Sequence, residues 1–364
     1  MKNFLAAIIA TSALISSAWA QTAELKSDHP EFHIVQPGDT LWDISSMFLK
    51  SPWLWPEIWQ ANEQVDNPHL IFPGDVIALV YVDGQPRLTK GNRLPNGTVK
   101  LSPKVREVSR GQAITTIALD AILPFLVSAR VVDDETLETA PYVVAGDEGR
   151  LANAIGNKVY ARGLTVKEAS KYAFYRAGER YVDPDTGEQL GIEAIHLGSG
   201  TKIRPGDPST IRIEKSEAEV LKGDHLWPVN EDQLRPYYFP HAPNKEVNAS
   251  IISVYDGVVQ IGQYDVVVLN KGERDGIEVG HVLTVFQRGE EVTDPYARNN
   301  KNVNDDNAVV DFLKTMVNAK DTVKLPDEEA GTLMIFRTFD KVSLGLVLKS
   351  QRPLHVMDIA KTPY

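Results

Sequence analysis

The sequence predicts an α+β protein: a small βααβ module followed by two duplicated, mainly antiparallel β-barrel or sandwich domains. Three observations carry that expectation. Residues 32–80 run strand, turn, two short helices, turn and strand, with Pro-Gly-Asp at both turns. Beyond residue 100, apolar and polar residues alternate in short runs bounded by Gly, Asp or Pro, the period-two pattern of antiparallel strands. Matched pieces of those runs recur in one order, the mark of internal duplication.

The amino terminus comes first. Lys2 supplies a positive start, Phe4, Leu5, Ile8, Ile9, Leu14 and Ile15 form an apolar run, and Ala18-Trp19-Ala20 places small residues at a cleavage position. This pattern predicts a secretory signal peptide over residues 1–20, cut after Ala20. The run is too short to span a bilayer comfortably, and no later stretch is apolar enough to do so, so no transmembrane anchor is expected after cleavage. Residues 21–31 read as a polar leader.

Length and charge bound the rest. A chain of 364 residues is long enough for two or three domains with cores of their own. A formal net charge of −11 argues against nucleic acid, whose phosphates are gripped by clustered Lys and Arg. It also argues against docking on an anionic membrane face. The chain has no cysteine, which excludes disulfides, a thiolate nucleophile, zinc–thiolate sites and a lipid-modified cysteine.

Within residues 32–80, Phe32 to Val35 forms a strand and Pro37-Gly38 a turn. Thr40 is placed to cap a helix, with Asp43 three residues on completing a capping box. Leu41, Ile44 and Phe48 then share one helical face. Ser51-Pro52 and Trp55-Pro56 offer starts for a second helix, which Asn62 can end. Asn67-Pro68-His69-Leu70-Ile71-Phe72-Pro73-Gly74-Asp75 makes a loop, and Val76 to Val80 returns beside the first strand. The expected result is two helices on one face of a two-stranded sheet.

Val35, Gly38-Asp39-Thr40-Leu41-Trp42, Ile44, Asn62, Asn67-Pro68, Leu70-Ile71 and Pro73-Gly74 together resemble the LysM domain, with a Ser51 to Ile58 stretch longer and more aromatic than that family's pattern. The resemblance implies binding of N-acetylglucosamine-containing glycans, chiefly peptidoglycan or chitin, in a groove between two loops. Carried over by position, it implies Gly38, Asp39, Thr40 and Leu41 on one wall and Asn67, Leu70, Ile71 and Phe72 on the other. A neutral glycan is compatible with an acidic chain. One shallow groove of this kind corresponds to millimolar to micromolar affinity, about −4 to −8 kcal/mol. Asp39 and Thr40 also have a purely structural role open to them, as turn and cap residues. Of the module's four tryptophans, Trp42 and Trp59 are expected in the core, and Trp53 and Trp55 are the candidates for a surface platform.

Residues 81–100 hold Asp83-Gly84, Pro86, Gly91, Pro95 and Asn96-Gly97, a linker with a possible hairpin. The two β copies are expected at residues 101–235 and 248–364. Val143 to Gly149 is matched with Val267 to Gly276, Lys158 to Gly163 with Leu283 to Gly289, and Gly191 to Ile195 with Gly331 to Ile335. Lys215-Ser216 and Gly223-Asp224 are matched with Lys349-Ser350 and Met357-Asp358. Ser343 to Lys349, Val254 to Ile261 and Tyr264 to Leu269 read as strands, and one or two helical turns are expected around Ala308 to Val317.

Chemistry is sparse. There is no Gly-x-Ser-x-Gly elbow, His-Glu-x-x-His helix, P-loop or dinucleotide glycine pattern, so no catalytic residue is assigned. Gly198-Ser199-Gly200-Thr201-Lys202 reads as a β-turn, and Asp133-Asp134 and Glu328-Glu329 as solvated loop positions. His33 and His69 lack further ligands, so neither metal nor cofactor is expected. The order of signal peptide, LysM module, linker and duplicated β domains looks like that of periplasmic LysM proteins of Gram-negative bacteria. It implies a non-enzymatic peptidoglycan-binding protein whose residues 101–364 meet another envelope protein. The alternatives are a peptidoglycan hydrolase or an activator of one, and an adhesin or secreted effector.

Overall fold

In the computed structural model, residues 23–59, 71–91, 114–117, 122–123, 125–126, 129–164, 169–229, 238–255, 260–293 and 322–363 are described. The expected signal peptide, Asn62, Asn67, His69, Leu70 and the helical turns around Ala308 lie outside those residues.

In the amino-terminal module, β1 (Phe32–Ile34) pairs antiparallel with β2 (Val76–Val82), Phe32 facing Ala78. β2 continues into β3 (Gln85–Gly91) through a hairpin. Its tip, Asp83-Gly84, has φ of 52° and 78°, the pair of positive values a type I′ turn needs. The sheet is therefore three-stranded rather than two-stranded. Thr40 caps α1 (Leu41–Phe48): its hydroxyl oxygen accepts the Asp43 N–H at 3.1 Å and donates to the Asp43 carboxylate at 2.7 Å. Leu41, Ile44 and Phe48 are buried together, as their spacing predicts. A 3-10 turn over Pro52–Leu54 then runs into α2 (Trp55–Trp59).

All four tryptophans are buried, which corrects the surface assignment of Trp53 and Trp55. The 3-10 turn sets both against the module core. Trp55 also lies 6.4 Å from Trp59 and 6.4 Å from Phe239, a residue of the segment leading into the last domain. Large aromatic rings make a core that so small a module otherwise lacks, and truncating one costs about 3–5 kcal/mol.

The first β domain contains β4 (Arg130–Val132), α3 (Asp134–Thr139), β5 (Tyr142–Gly146), β6 (Ala152–Asn153), β7 (Lys158–Arg162) and β8 (Lys171–Val182). It continues through β9 (Gln189–Arg204), β10 (Ser209–Ser216), β11 (Val220–Leu221) and β12 (His225–Pro228). Strand order is β5-β7-β10-β9-β8-β12, and β12 returns to β5, closing a six-stranded ring. β4 adds to the free half of the long β9, and β6 pairs β11 outside the ring. The second domain contains β13 (Asn248–Val254), β14 (Val266–Leu269), β15 (Val282–Gln287), β16 (Glu291–Thr293), β17 (Thr322–Lys324), β18 (Glu328–Thr338), β19 (Ser343–Ser350) and β20 (Ile359–Lys361). It closes as β13-β14-β19-β18-β15-β20, with β16 and β17 a separate hairpin.

Taken in chain order, the two rings have the same connectivity, so the duplication is one of topology. The alignment of its pieces needs correcting. β5 corresponds to β13 and β7 to β14, one strand earlier in the second copy than the sequence match placed them. Val143 and Ile251 occupy equivalent sites: each exchanges two backbone hydrogen bonds with the turn at Gly223-Asp224 or Met357-Asp358. Likewise Gly198, not Gly191, corresponds to Gly331. Gly198 faces Ser216 and Gly331 faces Ser350. A Cβ at either glycine would run into the carbonyl oxygen of Lys215 or Lys349. That close approach explains the Gly198-Ser199-Gly200 run, which lies inside β9 where the barrel closes and is not a turn. Of the acidic pairs expected in loops, Asp133 caps α3 and Glu328-Glu329 opens β18. The strand expected at Val254 to Ile261 instead ends at Val254.

One turn recurs through the molecule, at residues 36–39, 72–75, 154–157, 221–224, 262–265, 278–281 and 355–358. In each, the first carbonyl accepts the fourth N–H, and the third residue has φ between 70° and 99°. This is a type II turn, with Pro37 and Pro73 at its second position where φ is preset. The fourth side chain accepts the first residue's N–H: Asp39, Asp75, Asn157, Asp224, Asp265, His281 and Asp358 in that order. All but the first turn open a strand, and the first opens α1.

The second barrel is filled by Ile251, Val267, Leu269, Leu283, Val285, Leu333, Ile335 and Val347. Its outer face is not left to solvent along β14, β18 and β19. Val266, Val268, Met334, Phe336, Leu344, Leu346 and Leu348 join Tyr181 and Leu190 of the first barrel and the core of the amino-terminal module in one continuous apolar cluster. The leucines alternating along β19 thus point at neighbouring domains, while Val347 between them fills the barrel.

Candidate functional site

The two walls implied by position are two of these type II turns, set side by side. Val35 links them: its N–H donates to the Asp75 carbonyl at 2.9 Å and its carbonyl accepts the Gly74 N–H at 2.8 Å. Gly38 and Gly74 have φ of 95° and 94°, which a residue bearing a Cβ adopts only with strain. On the first wall, the Asp39 carboxylate accepts the Gln36 N–H at 2.8 Å and lies 2.7 Å from His33 Nε2. Asp39 and His33 are mostly buried, and Thr40 is buried as the helix cap. The polar side chains of this wall are thus engaged in holding its shape. Its outward-directed groups are backbone N–H donors at the start of α1.

On the second wall, Ile71 is fully buried, and Phe72 donates its N–H to the Asp75 carboxylate at 2.8 Å. Lys90 reaches across from β3, 2.6 Å from Asp75 and 5.5 Å from the centre of the Phe72 ring. Of the predicted site residues, Gly38, Asp39, Thr40, Leu41, Ile71 and Phe72 are therefore brought to one place. Asn67 and Leu70 lie outside the described residues.

The space between the walls is occupied by the chain itself. Leu41 N–H donates to the Thr115 carbonyl at 3.0 Å and Trp42 N–H to the Thr116 carbonyl at 3.1 Å. Opposite, the Ile71 carbonyl accepts the Ile114 N–H at 2.9 Å. Ile114, Thr116 and Ile117 are buried. The segment is held from behind by Tyr238, whose N–H donates to the Thr116 hydroxyl at 3.3 Å. Neither this segment nor the donor role of Trp42 was visible in the sequence. Backbone amides make the contacts, and they carry no side-chain signature.

The groove offers two N–H donors on one side and a carbonyl acceptor on the other, with Leu41 and Ile71 belonging to the apolar core beneath. That set suits a secondary amide with an attached methyl group, whether in a peptide or in the acetamido group of an amino sugar. Residues 33–79 match the LysM domain family. LysM is a binding module of peptidoglycan- or chitin-type glycans and is not itself catalytic. No curated protein matches the chain. Among the described residues, no helix is long and apolar enough to cross a membrane.

A second cluster was missed by the sequence reading. His241, Glu278 and His281 bring side-chain ligand atoms within 4.8 Å of one another. His281 is the fourth residue of a type II turn, and its Nδ1 accepts the Glu278 N–H at 3.0 Å. In the neutral ring this puts the proton on Nε2, so neither nitrogen is open to a metal while the turn is intact. His241 donates from Nδ1 to the Phe239 carbonyl at 3.0 Å. Burial, and then the neighbouring His241, hold His281 below the usual histidine range.

Proposed function

We propose that the protein is a non-catalytic peptidoglycan-binding component of the bacterial periplasm. It would be exported by residues 1–20 and grip N-acetylglucosamine-containing strands through the LysM module. The observation that supports this most is the placing of the Leu41 and Trp42 N–H donors opposite the Ile71 carbonyl acceptor in the LysM module. An acetamido group carries one carbonyl for those donors and one N–H for that acceptor. The acidic chain adds no general attraction to polyanions, so affinity rests on these few directed bonds and on shape.

The two barrels serve as the interaction region toward an envelope protein. Their shared apolar cluster with the LysM module supports a joint role for module and barrels. The test is co-sedimentation of the mature full-length chain with purified sacculi, run beside chitin beads, with released muropeptides assayed in the supernatant. The expected result is retention on both matrices and no sustained release. Sustained muropeptide release would make it a hydrolase. Absence from both pellets under every condition, including for the groove variants below, would overturn the glycan assignment.

A further inference from the structure

The groove that the proposed function depends on is filled, and what fills it has the chemistry of the proposed ligand. Thr115 and Thr116 present carbonyls to the Leu41 and Trp42 N–H groups, and Ile114 presents an N–H to the Ile71 carbonyl. A peptide group and an acetamido group are both secondary amides, so the two cannot use these partners together. The segment is not loosely draped. Ile114 and Ile117 are buried beside the groove, and the Thr115 hydroxyl closes a tight turn onto the Ile117 carbonyl at 2.5 Å.

Further on, the half-buried Arg337 of β18 donates to the Phe125 and Leu126 carbonyls at 3.0 and 2.8 Å. Tyr238, in the segment that leads to the second barrel, holds Thr116. The occupant is thus fastened to the groove in front and to Tyr238, on the approach to the second barrel, behind, while Arg337 of that barrel holds the chain at Phe125 and Leu126.

We infer that residues 114–117 are an intramolecular competitor for the LysM groove, so that glycan binds only when this segment leaves. The inference rests on the glycan reading above and adds its regulation. Apparent affinity is the intrinsic affinity multiplied by the fraction of molecules with the groove open. If the groove is open in a tenth of molecules or fewer, freeing it tightens binding at least tenfold. Because the anchors behind the segment belong to the barrel side, whatever the barrels bind can shift that fraction.

The chain has no cysteine, so a lock can be engineered cleanly. The full-length Thr116→Cys/Tyr238→Cys variant places a cysteine on each side of the Tyr238 N–H to Thr116 hydroxyl bond, behind the segment and outside both walls of the groove. Oxidised, it holds the segment in place; reduced, it frees it. The opposite variant, Ile114→Ser/Ile117→Ser, removes the apolar anchors. Binding of chitotetraose is titrated, and amide exchange at Leu41 and Trp42 is followed independently of any sugar.

The expected result is loss of binding in the oxidised lock, its return on reduction, and at least tenfold tighter binding by the Ser variant. Leu41 and Trp42 amides should be protected in the wild type and exposed in the Ser variant. Equal binding by the oxidised and reduced lock would overturn the inference. So would unprotected Leu41 and Trp42 amides in the wild type. If those amides are protected as expected but the folded Ser variant binds no sugar, the glycan assignment itself fails and the segment competes with nothing.

Discussion

Replacing Asp39 separates a residue that shapes the groove from one that touches a ligand. Its carboxylate accepts the Gln36 N–H at 2.8 Å and lies 2.7 Å from His33 Nε2. Asp39→Ala removes both contacts and leaves the Gln36 N–H without its acceptor. A hydrogen bond to a charged group is worth about 1.5–3 kcal/mol. A loss of about 2 kcal/mol follows, or a drop of about 4–8 °C in Tm for a cooperative unit of 150–250 residues. One carboxylate oxygen serves both partners, so the amide oxygen of Asp39→Asn can still accept from the Gln36 N–H and from His33 Nε2, and this variant should lose less than about 1 kcal/mol. Calorimetry of both variants, with sacculus binding measured alongside, decides the matter. The reasoning is refuted if Asp39→Ala melts with the wild type. It is refuted equally if Asp39→Asn keeps its Tm but loses binding tenfold, for then the carboxylate acts on the ligand.

Three further outcomes are expected. His281 is held neutral by burial, then by His241, so its folded pKa lies below the ordinary value of about 6.5. The unfolded chain then takes up the proton first, and stability is fully present above about pH 6.5 and lost as pH falls toward the folded value. Thermal melts of His281→Asn from pH 7.5 to 5 should show a shallower fall than wild type, the remainder coming from His225, which burial also lowers. Gly331→Ala forces a methyl against the Lys349 carbonyl and should cost about 1–3 kcal/mol, seen as a lower urea midpoint. Glu188, in the turn between β8 and β9, is held down to about 2 by Arg274, at 2.7 Å, and Lys341, at 2.9 Å, both from the second barrel. Being exposed, this clasp should weaken with added salt; its contribution is fully present above about pH 4.5 and is lost progressively as pH falls from there toward 2. Protease sensitivity of wild type and Glu188→Gln across a salt series checks it.

Local chemistry was legible without coordinates. Thr40 and Asp43 cap α1 as their spacing predicts, and Pro-Gly-Asp marks both turns of the groove, because a cap or a type II turn is decided within four residues. The alternation along β19 announced a strand for the same reason. The duplication was visible but misaligned at its first two strands, since short apolar runs resemble one another whatever their place in a ring. The dependable markers were the turn with a positive third φ and the glycine where β9 meets β10 and β18 meets β19, and those show their meaning only once a partner strand is known. Trp55 looked like a surface residue because Phe239, which lies against it, is far away in sequence. The occupant of the groove was invisible on the same ground. Residues 114–117 bind through main-chain amides that every sequence has, and only the tertiary fold decides which of them arrive between Leu41 and Ile71.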